Sequence, residues 1–88
     1  MNEGTIGEIR LFAGDFAPRN WAFCNGQVLE INSNVALFSI LGNKYGGDGR
    51  TTFALPKIQP VLGAETGATY DDLNYIICCN GWYPERPY

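Results

Sequence analysis

Apolar residues at positions 6, 9, 11 and 12 make the stretch Ile6 to Ala13 read as a strand with imperfect alternation. Gly14 to Asn20 is turn chemistry, and Pro18 cannot donate to a ladder, so a loop follows. Trp21-Ala22-Phe23-Cys24 is a second strand. It meets Asn25-Gly26, a dipeptide favoured in two-residue hairpins, so Gln27 to Ile31 is expected to return against it. Asn32, Ser33 and Asn34 are good N-cap residues, and Val35, Leu37, Phe38, Ile40 and Leu41 form a broad apolar face. Gly42 suits the left-handed position that closes a helix. The spacing predicts one short helix over about residues 33–42.

Gly46-Gly47-Asp48-Gly49-Arg50 reads as a loop, and Thr51 to Leu55 as a strand ended by Pro56. Residues 57–72 show little periodicity and are expected to be loop. Leu73 to Cys79 is the clearest late strand, again meeting Asn-Gly at 80–81, with Trp82-Tyr83 starting a short return before Pro84 and Pro87. The pattern predicts an α+β class: a small, mostly-β domain of short hairpins with one short helix. The expected organisation is a single domain over 1–88, with an N-terminal arm (1–5), a core (6–56), a loop (57–72), a closing strand or hairpin (73–83) and a C-terminal tail (84–88). Cys24-Asn25-Gly26 and Cys79-Asn80-Gly81 echo each other. Either two turns converged on one signal, or the chain holds a pseudo-repeat whose hairpins face each other.

Length and charge narrow the function. A chain of 88 residues supports one modest core, and domains this small gain from disulfides, a metal or oligomerisation. The net charge is −3, with six scattered cations, so no basic face for nucleic acid is expected. No segment has the length of a membrane span, and Met1-Asn2-Glu3-Gly4 lacks the layout of a signal peptide, so neither membrane insertion nor the general secretory route is expected.

Enzyme chemistry finds little support. There is no histidine, which removes Ser-His-Asp and Cys-His catalysis and His-containing zinc sites. The glycine-rich segment 46–50 lacks the Lys-Ser/Thr ending of a phosphate-binding loop and reads as structural. Asp71-Asp72 falls far short of a calcium ligand set. No catalytic, cofactor or metal residue is therefore assigned. Three cysteines remain. Cys78 and Cys79 point to opposite faces of a strand. Buried free thiols, an internal disulfide of Cys24 with Cys78 or Cys79, and a bridge to another subunit all stay open.

Four segments, in order and with matching gaps, carry a resemblance. They are Gly7 to Gly14 (GEIRLFAG), Pro18 to Gln27 (PRNWAFCNGQ), Ala36 to Gly42 (ALFSILG) and Tyr45 to Pro56 (YGGDGRTTFALP). Together they closely resemble the phage tail collar domain, the family that includes the microcystin-dependent proteins. Leu73 to Ile77 followed by Gly81-Trp82-Tyr83-Pro84 is similar to the closing motif of longer members. Where those continue with a long Gly-rich middle, this chain has Lys57-Ile58-Gln59-Pro60 and a short loop, so it looks like a minimal version. The resemblance implies a tail-collar-like fold, no shared catalytic residues, and a role in fibres or other assemblies of phage-like particles.

Aromatics and arginine are the residue types that anchor interfaces. Trp21, Trp82, Tyr83, Arg86 and Tyr88 are thus the candidate assembly surface. The expected function is a self-assembling structural subunit of an extracellular or phage-tail-like fibre or filament, with copies of itself as partners, associating head to tail into a helical filament or a trimer. The competing reading is an adhesion module whose exposed Trp21, Trp82 and Tyr83 stack on a cell-surface glycan.

Overall fold

A computed structural model describes residues 4–59 and 73–85. Five short strands and one helix follow in the order β1 (Ile9–Ala13), β2 (Trp21–Phe23), β3 (Val28–Glu30), α1 (Val35–Leu41), β4 (Thr52–Ala54) and β5 (Leu73–Cys78). This is the mostly-β α+β architecture that the hydrophobic pattern predicts.

The pairing of the strands departs from the expected scheme at Asn25-Gly26. β2 and β3 do not pair with each other. β2 lies in a three-stranded antiparallel sheet of order β1-β5-β2, while β3 pairs with β4 in a separate two-stranded sheet. The reason lies in where the backbone groups go. Cys24 N–H still bonds the Tyr75 carbonyl (2.9 Å), whereas Gly26 N–H bonds the Pro56 carbonyl (3.3 Å) and Leu55 N–H bonds the Gln27 carbonyl (3.0 Å). Asn25-Gly26 is a crossing point between sheets, locked by Gln27, whose amide accepts from Asn25 N–H and donates to the Phe23 carbonyl. Asn80-Gly81 also makes no tight return: Trp82 bridges Thr5 in parallel.

Element ends shift for local reasons. β1 begins at Ile9, not at residue 6, because Gly7 N–H and the Glu8 carbonyl both bond Cys78 (2.9 Å each). Two residues against one is a bulge, and it breaks the regular ladder. The helix begins two residues later than predicted because Ile31–Ser33 forms a 3-10 turn instead. Asn34 fills the N-cap position, but its side chain turns back to the Glu30 carbonyl (2.9 Å). Gly42 closes the helix at φ 61°.

Period-two alternation on β5 divides the core. Ile77 on one face joins Ile6, Cys24, Leu37, Leu41, Phe53 and Leu55, with Phe38 edge-on to Phe53 at 5.4 Å. Ile76 and Cys78 on the other face pack with Trp21, flanked by Phe12 and Phe23.

Candidate assembly surface

Trp82 and Tyr83 stand on a segment whose backbone is held at both sides. Trp82 N–H donates to the Gly4 carbonyl (2.9 Å), and Ile6 N–H donates to the Trp82 carbonyl (2.7 Å). Gly4 and Thr5, expected to be a free arm, are fastened by this clasp. The approach is so close that a Cβ on Gly81 would collide with the Gly4 carbonyl oxygen. Glycine is needed there for the passage of backbone past backbone. The side chains beyond the clasp face outward: Trp82 is 67% exposed and Tyr83 53%. The Tyr83 hydroxyl also meets Ser39 Oγ on α1 at 2.5 Å. Two large aromatic groups are thus displayed on an anchored backbone, beside the helix.

Trp21 does not belong with them. It is 6% exposed, at the centre of the smaller core cluster. Its side chain shares a sheet face with Ile76 and Cys78, which decides its burial. Arg10 closes the outer side, its guanidinium 5.0 Å from the ring centroid. Glu8 orients Arg10 through a 2.8 Å bond and accepts Thr5 N–H at 3.0 Å. The bond from Arg10, and next that from Thr5, hold the Glu8 carboxyl below its usual range. Arg86, Tyr88 and the Asp71-Asp72 pair lie outside the described residues.

Cys24, Cys78 and Cys79 are free thiols, so the candidate internal disulfide does not form. The strand register explains this. Cys24 N–H bonds the Tyr75 carbonyl at one end of the β2–β5 ladder, and Cys79 N–H bonds the Asn20 carbonyl at the other. Four residues along a strand span about 13 Å, well beyond the ~7 Å Cα limit for a bridge. Cys78 faces the opposite side of the sheet from Cys79, as expected. Burial raises both the Cys24 and the Cys79 thiol to about 11. At neutral pH they are protonated and act as small apolar groups.

The glycine-rich loop 46–50 is organised around its own carboxylate. Asp48 accepts from the N–H groups of Arg50, Thr51 and Thr52 and from the Thr51 hydroxyl, all at 2.8–2.9 Å. These bonds hold its carboxyl far below the ordinary range, the Thr52 N–H first among them. A backbone cradle already filled by an internal anion has no donors left for a phosphate. Gly47, at φ 87°, sits against the Phe53 backbone where a Cβ would overlap. The loop thereby packs on β4 and aligns Phe53 with the core. No group of three or more metal-ligating side chains comes together among the described residues, and no helix is long and apolar enough to cross a membrane.

The family model for the phage tail collar domain matches residues 7–61. No curated protein matches the chain.

Proposed function

Because the chain belongs to the phage tail collar domain family, a family of structural fibre components, we propose that it is a non-catalytic, self-assembling subunit of a phage-tail-like fibre or filament. The observation that carries this reading is the exposed pair Trp82 and Tyr83 on a clasped backbone. Aromatic groups held in advance lose little entropy on docking, and they concentrate binding energy at interfaces. The absence of histidine and the raised Cys24 and Cys79 thiols, protonated at neutral pH, favour structure over catalysis. The partners are copies of the chain, in a tail-like particle or an extracellular filament, without nucleic acid or membrane insertion.

Light scattering and negative-stain electron microscopy of wild type and a Trp82→Ala/Tyr83→Ala variant test the proposal. Wild type is expected to form large species at micromolar concentration and the variant to stay small. Unchanged assembly of the variant would refute docking through these rings. The same exposed aromatics also suit stacking on a cell-surface glycan. That reading predicts a wild-type chain that stays small and binds a glycan array through the two rings.

A further inference from the structure

Resting on the self-association just argued, we propose that β1 pairs antiparallel with β1 of a second copy of this chain. The two three-stranded sheets then join across a two-fold axis at Leu11. The register of the central strand determines which backbone groups are available for this. Cys78 N–H bonds the Glu8 carbonyl, so alternation along the ladder makes Arg10–Ile76 and Phe12–Asn74 the hydrogen-bonded pairs with β5. The N–H and C=O groups of Ile9, Leu11 and Ala13 therefore point away from β5, along the sheet edge. β1 is the last strand on that side among the described residues.

The side chains match this edge to a partner. Ile9 is 39% and Leu11 50% exposed, and both lie on one face of the strand. Edge strands that stay solitary are commonly guarded by lysine, proline, a bulge or an inward charge; the bulge at Gly7-Glu8 lies before the five residues of β1 and leaves their edge regular. Ile9–Ala13 contains no lysine or proline. Its one charge, Arg10, is already engaged by Glu8 and Trp21. The row of outward donors and acceptors calls for another extended strand, and β1 itself is complementary. With Leu11 opposite Leu11 of the second copy, Ile9 faces Ala13 and Arg10 faces Phe12. All five residues pair, apolar groups meet apolar groups, and each Arg10 meets an aromatic ring. A slip of two residues in one direction would set Arg10 against Arg10, and in the other would leave Ile9 outside the ladder. A two-fold contact of this kind closes as a dimer. Docking of Trp82 and Tyr83 on a different surface of another copy would then link dimers into a longer body.

The test is sedimentation velocity with amide hydrogen exchange on the full chain over a dilution series. Leu11→Pro removes an outward N–H and leaves the β5 ladder whole, and Leu11→Lys puts a charge on the edge. Val28→Lys, at an exposed residue of β3, is the control. Both Leu11 variants are expected to raise the dimer dissociation constant by about tenfold or more while the control does not. The Leu11 amide of wild type is expected to exchange more slowly as concentration rises, with Arg10 unchanged. Association unaffected in the Leu11 variants would overturn the proposal. So would a Leu11 amide protected equally at every dilution, since a segment of the same chain would then cover the edge. If Leu11→Pro fails to fold, Leu11→Lys carries the test. A wild-type chain that is monomeric at every concentration would overturn the assembly reading itself. Assembly lost in Trp82→Ala/Tyr83→Ala but kept in the Leu11 variants would overturn edge pairing alone.

Discussion

On one face of the β1-β5-β2 sheet, Ile77 and Cys24 meet Leu37 and Leu41 of the helix and Phe53 and Leu55 from β4 and its continuation. On the other face, among the described residues, Ile76 and Cys78 meet Trp21 as their buried neighbour, with Phe12 and Phe23 at the margin. The first face is covered by secondary structure, fixed by the helix cap at Gly42 and by the loop that Asp48 ties together. Among the described residues, no helix or second sheet covers the other face. Its indole is sealed by the Arg10 side chain, and the Gly4 backbone crosses it so closely that a Cβ there would press on the ring. The larger cluster is thus closed by helix and sheet, and the smaller one by the Arg10 side chain and the Gly4 backbone.

The widest separation between the two faces should come from large-to-small substitutions. Phe53→Ala leaves a void between helix and sheet that neither can collapse into, at a cost of about 4–5 kcal/mol. Against the marginal stability of so small a domain, that leaves little folded protein. Trp21→Ala empties a site open to collapse from one side, and about 3 kcal/mol is expected. Urea unfolding followed by circular dichroism measures both. Equal costs would mean the second face is as well packed as the first.

Gly81→Ala asks how far the second face depends on the clasp. Its Cβ forces Gly4 and Trp82 apart, and a loss of about 1–3 kcal/mol is expected. Hydrogen exchange should show the clasp amides of Ile6 and Trp82 losing protection while the amide of Leu55, bonded to the Gln27 carbonyl away from the clasp, keeps its own. Uniform loss of protection would make the two faces a single cooperative unit.

Asp48→Ala probes the loop behind the first core and has the smallest expected effect. The folded state holds this carboxyl below its unfolded range. Its contribution is therefore complete above about pH 4 and fades as pH falls below that. The variant should melt lower than wild type at neutral pH, and the gap should narrow in thermal melts on acidification. A gap independent of pH would show that loop shape alone, without the charge, aligns β4.

Much of this molecule is legible from residue order. The strands around Leu11, Trp21, Leu29, Phe53 and Ile76, the helix stripe from Val35 to Leu41 and its stop at Gly42 follow from hydrophobic period and turn chemistry. Those are local properties, expressed over a few residues. The family is legible for the same reason, in motifs that specify turns. Partnership was decided elsewhere. Asn25-Gly26 has the chemistry of a hairpin, yet β5, some fifty residues further along, takes the place beside β2 because Ile76 and Ile77 bury on both faces only in a central strand. The same register put Cys24 and Cys79 at opposite ends of one ladder. It buried Trp21, while Trp82, beyond the ladder on the clasp with Gly4, stands in the open. Burial and pairing are properties of which distant segments meet, and only the tertiary structure holds that information.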